Sequence, residues 1–505
     1  MTDQYEVEDK FDVDDGTPLP SLAGLPGVAS VDPPVEHDLE ATYFDTADLA
    51  LTAAGITLRR RTGGDDPGWH LKLPTAEDRY EVQVPLGRSI RTPPIRIRSR
   101  VQAIVRGESL APIAVVRNRR VAHRLLDSQG RILAEVSDDV VSATDSHTAT
   151  ATAWREWEVE LVDGDGVLLL AAAEAILAGG ATPSRWPSKL ARALGDRMPA
   201  EPQRGRPSPR RKGPAAHIVH DRLIQQVAEL RRLDPLVRSD ATDAVHKMRV
   251  AIRRLRNALA TFGPLLDREV TDPVRAQLKW LAAALGDVRD AEVMHQRLQA
   301  MLADESPELV RGAVRSRADK ELRERRRAAH ARAVRAMETK RYFALLDRLD
   351  GLAAGPPWNE VAQEPASEVL PGRVQHDWKR LRRRVAAATD VDDPVERASR
   401  LHEVRKAAKR TRYATEALTP VYGKDARRLR RATKRIQTVL GAHHDSIVTQ
   451  VELRQLADRA AADGENAFTF GVLHAREEAG VAKAEAQFAK AWRAASSKKL
   501  RRWLG

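Results

Sequence analysis

The sequence has no cysteine among its 505 residues. Disulfide frameworks and thiolate metal sites are therefore excluded. Long apolar runs are also lacking: the longest, residues 167–181, is too short to span a bilayer and contains Glu174. The amino terminus, Met-Thr-Asp-Gln-Tyr-Glu, has neither the basic nor the apolar region of a signal peptide. We therefore expect a cytoplasmic protein with no membrane span.

Aromatic residues are scarce, at 4% of the chain. Proteins that bind single-stranded nucleic acid stack bases on aromatic side chains, and few are available here. No helix-turn-helix, zinc-finger or RNA-recognition pattern is visible either. These absences disfavour nucleic acid as the partner, although they leave it as an alternative.

Positive charge is concentrated in the second part of the chain. Residues 1–200 hold 22 Lys and Arg against 31 Asp and Glu, a net charge of −9. The remaining residues hold 62 Lys and Arg against 40 Asp and Glu, a net charge of +22. Such a basic region favours a polyanionic partner: nucleic acid, an anionic membrane or a phosphate polymer.

A basic motif occurs twice, about 156 residues apart. From His246 the chain reads His-Lys-Met-Arg-Val-Ala-Ile-Arg-Arg-Leu-Arg, and from His402 it reads His-Glu-Val-Arg-Lys-Ala-Ala-Lys-Arg-Thr-Arg. The match extends on both sides, so a unit of about seventy residues is duplicated. On a helix, this spacing places the basic side chains along one face, where they repel each other. An anionic partner is expected to neutralise them.

The charge and hydropathy patterns predict an α+β protein with three segments. Residues 1–200 alternate charged and apolar residues in short segments bounded by turns, which is typical of β-strands. Residues 201–214 form a basic, proline-rich linker. Residues 215–505 follow a helical pattern, with repeats at about 215–355 and 372–505.

Charged residues of both signs share strand faces in the first segment. Glu156, Glu158 and Glu160 fall on one face of a strand, with Trp157 and Val159 opposite. If the apolar faces pack outward against helices, the charged faces converge inside an antiparallel β-barrel. Carboxylates there bind a hard cation such as Mg²⁺ or Mn²⁺, and Lys and Arg clamp phosphate oxygens. The pattern therefore favours a metal–polyphosphate site.

Eight motifs in chain order carry a resemblance across residues 1–198. They are Glu6-x-Glu8-x-Lys10, Tyr43-Phe-Asp-Thr46, Leu58-Arg59-Arg60-Arg61, Trp69-His-Leu-Lys72, Arg79-Tyr-Glu81, Glu135-Val-Ser-Asp138-Asp139, Glu158-Val-Glu160 and Ser188-Lys189-x-x-Arg192. This set resembles the CYTH domains, the triphosphate tunnel family. The resemblance implies an antiparallel barrel around a tunnel, with a triphosphatase or, as an alternative, an adenylate cyclase activity.

The resemblance also implies roles for particular residues. The catalytic set comprises Glu6, Glu8, Lys10, Glu158 and Glu160. Divalent metal, Mg²⁺ or Mn²⁺, is expected on Glu6, Glu8, Glu135, Asp138, Glu158 and Glu160. Besides Lys10, the residues expected to bind triphosphate oxygens are Arg59, Arg61, Lys72, Arg79, Arg117 and Arg119. Lys189 and Arg192 are expected at the tunnel end.

The duplicated segment, residues 215–505, resembles the CHAD domain. That resemblance implies an all-helical, pseudo-two-fold domain that binds inorganic polyphosphate on a basic surface. The second copy departs from the first where Asp287 becomes Ala442 and Arg289 becomes His444. The expected polyphosphate-binding residues are His246, Arg249, Arg253, Arg254, Arg256, Lys279, His402, Arg405, Lys409, Arg410, Arg412 and Lys434.

Together these features predict metal-dependent hydrolysis of inorganic triphosphate, or a related triphosphate, coupled to inorganic polyphosphate binding. Association with polyphosphate granules is a further expectation for such a protein. The main alternative is a non-catalytic polyphosphate-binding or targeting protein, whose first domain holds a phosphate chain end without cleaving it.

Overall fold

The computed structural model describes residues 3–75, 79–199 and 210–504, without the side chains of residues 3–6 and of Arg79. The chain divides into two compact units. The first comprises residues 1–204 with 234–239, and the second comprises residues 205–233 with 240–505. Most of the predicted linker, residues 200–209, lies outside the described ranges.

In the described residues, the first unit is built on an antiparallel β-sheet with four α-helices and a short 3-10 helix, Gly195–Arg197. The strands are β1 (Asp3–Glu6), β2 (Glu8–Val13), β3 (Ser30–Val31), β4 (Val35–Asp45), β5 (Thr57–Thr62), β6 (Gly68–Pro74), β7 (Arg79–Pro85), β8 (Ala111–Leu126), β9 (Ile132–Asp145), β10 (Ala151–Leu161) and β11 (Thr182–Pro183). The helices are α1 (Ala50–Ala53), α2 (Ile95–Val105), α3 (Gly166–Ala178) and α4 (Lys189–Leu194).

The sheet is curled and its hydrogen-bonded path is open. The order is β1-β7-β6-β5-β4-β8-β9-β10-β2-β11, with β3 paired to β8. Since only Val7 separates β1 from β2, one stretch of chain pairs with β7 and then with β10. The backbone N–H of Leu161 donates to the Val7 carbonyl at 3.0 Å. The predicted antiparallel sheet is confirmed, whereas the predicted barrel is a sheet that does not close as a ring of paired strands.

Apolar side chains cover the outer face of the curled sheet. Trp157 and Val159 on β10 pack in one cluster with Leu168 and Ile176 of α3. Because side chains alternate along a strand, the opposite residues of the same strands face inward. The charged inner face therefore follows from the period-two pattern. A second cluster lies on the inner face and joins Leu190 of α4 to strands β4, β8, β9 and β10.

Apart from two isolated β-bridges, the regular secondary structure in the described part of the second unit consists of helices. They are α5 (Ala215–Arg238), α6 (Ala244–Thr261), α7 (Arg268–Ala284), α8 (Gly286–Ala303), α9 (Val314–Met337), α10 (Lys340–Ala354), α11 (Ala366–Thr389), α12 (Pro394–Ala417), α13 (Thr419–Ala462) and α14 (Phe468–Ala495), with short 3-10 turns between some of them and at Lys498–Leu504. In the described part of the chain, no helix combines the length and apolar character needed to cross a membrane.

The duplicated motifs lie on α6 and α12, which pack against each other. In each copy the matching arginine approaches a matching glycine. A Cβ at Gly286 would lie 3.7 Å from the guanidinium of Arg249, and one at Gly441 would lie 3.6 Å from that of Arg405. The two copies therefore build the same local arrangement. In the first copy α7 ends and α8 begins beside this glycine, whereas in the second copy the single helix α13 runs through the equivalent position.

Three prolines lie inside helices of the described chain, although an interior proline usually kinks or breaks a helix. Pro235 lies inside α5, Pro273 inside α7 and Pro371 inside α11. A proline removes one backbone hydrogen bond and crowds the preceding turn, yet burial of an apolar helix face offsets that cost. Each of these helices buries such a face, with Leu278 and Leu281 of α7 fully buried.

Candidate active site and basic surface

A cavity of about 430 Å³ lies inside the curled sheet, and we call it the sheet cavity. Its charged lining contains seven cationic and seven acidic residues. The cations are Lys10, Arg59, Arg61, Lys72, Arg120, Arg124 and Lys189, and the acids are Glu8, Asp65, Asp66, Glu81, Glu135, Glu158 and Glu160. Such a lining suits a highly charged ligand that bears both phosphate and metal.

Strands β5 and β6 carry three cations on the inner face. Arg59 and Arg61 alternate with outward residues of β5, and Lys72 stands opposite Thr57 across the ladder. Arg61 forms an ion pair with Asp66. Burial and the neighbouring Arg59 lower the pKa of Arg61 to about 9. Neighbouring cations repel one another, and a bound phosphate group would offset that repulsion.

Glu158 lies at the centre of a buried charge network. Its carboxylate forms an ion pair with Lys10, accepts from Arg120 at 2.6 Å and lies 2.8 Å from Lys189 Nζ. Although burial alone would raise it, these cations hold the pKa of Glu158 well below its usual range. Arg120 also donates two hydrogen bonds to Asp139, at 2.8 and 2.7 Å.

Lys189, at the first position of α4, occupies an acidic cluster. Its Nζ lies 2.8 Å from Asp139, 2.6 Å from Glu156 and 2.8 Å from Glu158. Ligand atoms of these three carboxylates lie within 4.8 Å of one another, a spacing that suits a metal ion. Because the ammonium already stands among them, the cluster is neutralised by the chain itself and holds α4 against the sheet.

Lys189→Met is expected to reduce the free energy of unfolding by about 3 kcal/mol, because it leaves buried carboxylates without their cation. The pKa values of Asp139 and Glu158 are depressed in the fold, so their pairing stabilises it above about pH 4 and is lost as the pH falls through the folded pKa values. Urea unfolding at pH 7 and pH 3 measures this, and we expect the deficit to shrink at pH 3. Arg131→Met, at an exposed pair, is the control. An equal deficit at both pH values would contradict this role of Lys189.

A second carboxylate group surrounds Glu160 on the inner face, where Glu8 pairs with Lys10 and Glu135 lies 3.6 Å from Arg124. Across the ladder, Glu160 stands opposite both Glu8 on β2 and Glu135 on β9. Burial, with Glu8 and Glu158 nearby, raises the pKa of Glu160. Among the described residues, the carboxylate of Glu160 accepts no hydrogen bond and has no ion-pair partner. Carboxylate oxygens are the ligands that a hard divalent cation prefers.

Two predicted phosphate ligands lie on the wrong face of β8. The side chains of Arg117 and Arg119 are 66% and 63% exposed on the outer surface, where they pair with Glu40 and Glu36. Their place in the sheet cavity is taken by Arg120 and Arg124, which the sequence analysis did not select. Arginine occurs at both parities of this strand, so the pattern of alternation did not identify the inner set.

Asp138, a predicted metal ligand, also differs from the prediction, because it faces away from the sheet cavity. Asp138 lies on β9 next to Asp139, which points inward. The carboxylate of Asp138 accepts two hydrogen bonds from Arg155, at 2.8 and 2.7 Å.

Arg192 bonds to Asp12 at 2.6 Å and does not line the cavity. Other predicted residues that do line it are Glu8, Lys10, Arg59, Arg61, Lys72, Glu135, Glu158, Glu160 and Lys189. The side chains of Glu6 and Arg79 lie outside the described part.

The second unit has a basic depression of about 520 Å³, which we call the central basin. It lies where α6 and α12 meet, and α7 and α11 complete it. Its cationic lining consists of Arg253, Arg256, Arg275, Lys279, Arg380, Arg384, Lys406, Lys409 and Arg410, against the acids Asp272 and Glu403. Both copies of the motif contribute, so the duplication places their basic faces on one surface.

Several predicted polyphosphate ligands are paired inside the protein instead. Arg254 and Arg412 both contact Glu416, at 2.9 and 3.3 Å. Arg410 contacts Asp377 at 2.6 Å, although it still lines the central basin. Glu416 and Asp377 thus neutralise part of the basic face, which the motif alone does not reveal.

The remaining predicted ligands lie beside the central basin or away from it. Arg249 donates to the carbonyl of Gly286 at 2.6 Å, near the junction of α7 and α8. The ring of His402 lies 4.4 Å from that of His444, and burial lowers the pKa of His402 to about 4. Burial likewise lowers the pKa of His246. Lys434 is exposed on α13 and does not line the basin, and neither do His246, Arg249, Arg254, His402, Arg405 and Arg412.

Two protein families match this chain. Residues 4–181 match the CYTH domain, and residues 221–454 match the CHAD domain. The uncharacterized proteins MT2285 and Rv2226 of two Mycobacterium tuberculosis strains are each 39% identical over 490 residues, covering 94% of this chain and 92% of theirs. The chain therefore belongs to the proteins that join a CYTH domain to a CHAD domain. The CYTH match supports a triphosphate-tunnel function for the first unit.

Solved structures that resemble parts of the chain include PptA from Streptomyces chartreusis, at 25% identity and a TM-score of 0.46 over 55% of this chain and 99% of that one. The CHAD domain from Ricinus communis is 24% identical, with a TM-score of 0.45 over 56% of this chain and 94% of that one. HpAC1 from Hippeastrum is 16% identical, with a TM-score of 0.23 over 39% and 99%, and a dominant triphosphatase activity is ascribed to it.

Proposed function

We propose that the sheet cavity hydrolyses inorganic triphosphate, or a related triphosphate, with a divalent cation, and that the central basin binds inorganic polyphosphate. The observation that carries the first part is the pairing of two surfaces in one cavity. One is the cationic wall of Arg59, Arg61 and Lys72, and the other is the carboxylate row of Glu8, Glu160 and Glu135.

The chain's own residues supply binding and orientation. The guanidinium groups of Arg59 and Arg61, with the ammonium of Lys72, offer donors to phosphate oxygens along one wall of the cavity. The carboxylates of Glu8, Glu160 and Glu135 would hold Mg²⁺ or Mn²⁺. When bound, such an ion neutralises charge that develops on the transferred phosphoryl group during in-line attack by water.

Lys10 and Lys189 hold the carboxylates around them in place. Lys10 contacts Glu8 at 2.8 Å and is paired with Glu158, so it fixes the inner face of β2 against β10. Lys189 holds Asp139 and Glu156 in the same manner. These residues position the site, since their ammonium groups are already neutralised by the chain.

Product analysis tests the proposed chemistry. Phosphorus NMR follows tripolyphosphate and ATP incubated with the full chain and Mg²⁺ or Mn²⁺. We expect tripolyphosphate to yield orthophosphate and pyrophosphate. Conversion of ATP to a cyclic nucleotide, with tripolyphosphate unchanged, would instead favour a cyclase. Binding of tripolyphosphate without any product would favour the alternative of a non-catalytic polyphosphate-binding protein.

The proposed binding of polyphosphate to the central basin has an expected pH dependence. Burial, with Arg405 and Arg253 nearby, lowers the pKa of Lys409 to about 7, and Arg249 adds to this while Asp445 opposes it. A bound polyanion favours the protonated amine, so affinity falls as the pH rises above 7, by up to about tenfold per unit for one proton. Binding titrations with long-chain polyphosphate at pH 6, 7, 8 and 9 measure this slope.

Lys409→Arg is the matched control for that slope, because arginine keeps its charge across this range. We expect the variant to bind with nearly constant affinity between pH 7 and pH 9. A slope that is the same in both proteins would assign the titration to another group and contradict the role of Lys409.

A further inference from the structure

The duplication allows the residues of the central basin to be compared with their counterparts in the other copy of the repeat. Residues of α6 match residues of α12 that lie 156 positions later, so Arg256 matches Arg412 and Ala260 matches Glu416. Arg256 and Ala260 line the central basin, whereas Arg412 and Glu416 do not. The two copies therefore place matching residues in different surroundings.

Glu416 binds the arginines around it. Its carboxylate contacts Arg222 of α5 at 2.6 Å, Arg254 of α6 at 2.9 Å and Arg412 at 3.3 Å, and 9% of its side chain is exposed. Although burial acts to raise it, these three arginines hold the pKa of Glu416 below its usual value. The ionised carboxylate therefore neutralises positive charge that the basic motif would otherwise present to a ligand.

The first copy has an alanine in place of that carboxylate. The backbone carbonyl of Ala260 accepts a hydrogen bond from Arg410 at 3.0 Å, so this position lies within the basic face. Burial and the neighbouring Arg275 lower the pKa of Arg256, and in the described part of the chain no carboxylate lies at ion-pair distance from it. Arg256 is thus available to a phosphate group, whereas Arg412 already has an anion beside it.

One flanking helix adds to the difference between the copies. Arg380 and Arg384 of α11 line the central basin, and their counterparts on α5, 156 positions earlier, are Ile224 and Ala228. Neither of these apolar side chains offers a donor to phosphate, and Ile224 is buried. We call the positions that match the lining of the central basin the matching side. It lacks these two arginines as well as the free charge of Arg412.

The other flanking helix is basic in both copies. Arg275 and Lys279 of α7 line the central basin, and the residues 155 positions later on α13 are Arg430 and Lys434. The matching side thus keeps cations at one edge, and the difference between the two sides lies at Glu416 and on α5.

We propose that polyphosphate binds one side of the duplicated domain, the central basin, because on the matching side Glu416 takes the place that a phosphate group occupies beside Arg256. The carboxylate acts as a built-in anion, which a phosphate chain would have to displace from Arg254 and Arg412. A domain with two basic motifs thereby holds one segment of polyphosphate. This inference rests on the proposed binding of polyphosphate by the central basin.

The first test compares Arg256→Gln with Arg412→Gln in the full chain, and each is the other's control because both lose one positive charge at matching positions. Long-chain polyphosphate is titrated at about 0.15 M salt and above. We expect Arg256→Gln to weaken binding by about tenfold and to lower the slope of log affinity against log salt by about one. We expect Arg412→Gln to change the affinity by less than about twofold and to leave the slope unaltered, because Glu416 remains paired with Arg222 and Arg254.

A second test moves the carboxylate into the central basin. Ala260→Glu is expected to weaken polyphosphate binding by about tenfold, because the new carboxylate neutralises Arg256 as Glu416 neutralises Arg412. Ala475→Glu makes the same change of charge at an exposed position of α14, which contributes no residue to the central basin, and is expected to bind as wild type does. Equal losses in these two variants would contradict the role given to position 260.

A third test removes the built-in anion. Glu416→Ala combined with Arg222→Leu leaves the net charge unchanged and avoids an unpaired arginine beneath α12. We expect this protein to bind polyphosphate about tenfold more tightly than wild type, with a salt slope steeper by about one, because Arg254 and Arg412 become available to phosphate. Urea unfolding confirms that the variant is folded, and an affinity equal to that of wild type would overturn the role of Glu416.

The comparison of Arg256→Gln with Arg412→Gln decides the inference even if the variant without Glu416 does not fold. Equal losses of affinity and slope in these two proteins, with wild-type binding intact, would overturn the inference and leave the proposed binding of polyphosphate standing. A wild-type chain that does not bind polyphosphate would contradict the proposed function itself.

Discussion

Glu160→Gln is expected to reduce metal-dependent phosphate release from tripolyphosphate by about 100-fold while the protein stays folded. Glu160 stands between Glu8 and Glu135 in the ladder, and its carboxylate has no ion-pair partner among the described residues. Its replacement therefore removes a metal ligand without leaving a buried lysine or arginine unpaired. Initial rates at saturating Mg²⁺ or Mn²⁺, with the unfolding curve of each protein, measure the effect.

The choice of Glu160 over Glu158 follows from their contacts. Glu158 neutralises Lys10, Arg120 and Lys189, so its loss would also destabilise the sheet and obscure the kinetic result. Glu36→Gln provides the control, since Glu36 is 61% exposed on the outer face. A Glu160→Gln protein that retains wild-type rates would rule out the carboxylate row as the metal site.

Replacing Arg253 and Arg256 together by glutamine is expected to weaken long-chain polyphosphate binding by about 100-fold at 0.15 M salt. Both line the central basin, and among the described residues neither has a carboxylate at ion-pair distance. They are therefore available to phosphate, unlike Arg254, which contacts Glu416. The slope of log affinity against log salt is expected to fall by about two, because each arginine neutralises about one phosphate in the wild type.

The matched control replaces Arg400 and Arg332, which lie at exposed surface pairs. Arg400 lies on α12 nine residues before Lys409, and this spacing places it on the opposite side of the helix. The control has the same net charge as the test variant. If both double variants lost affinity and salt slope equally, overall charge rather than the central basin would explain the binding.

The sequence alone was sufficient to predict the features that repeat with a regular period. The alternation through Glu158 and Glu160 correctly separated an inner charged face from the outer Trp157 and Val159. The duplicated motif correctly indicated two equivalent basic helices. The same alternation, carried one step further, leads from Lys72 to the inward His70, which was missed. Glu156 was placed on the charged face with Glu158 but was given no role at the site.

Where charged residues occupy both parities of a strand, sequence alone could not assign the face. On β8 the arginines at 117, 119, 120 and 124 divide between the outer surface and the sheet cavity. On β9, Asp138 and Asp139 are adjacent and point in opposite directions. The inner face depends on the register with β4 and β10, which only the folded sheet determines.

The long-range ion pairs of the basic helices could not be predicted from the sequence either. Glu416 neutralises Arg254 from the other copy of the repeat, and Asp377 neutralises Arg410 from the preceding helix. A carboxylate 162 residues from its arginine leaves no trace in the local spacing of the motif. Part of a basic stripe can thus be structural while its neighbours remain available to a ligand.

The central claim is that the sheet cavity is a metal-dependent triphosphatase. It is tested most directly by the rate of phosphate release from tripolyphosphate by the intact chain, measured with Mg²⁺, with Mn²⁺ and with a chelator. We expect release that requires one of the two metals and stops when the chelator is added. A folded chain that binds tripolyphosphate but releases no phosphate with either metal, or releases it equally in the chelator, would contradict the claim.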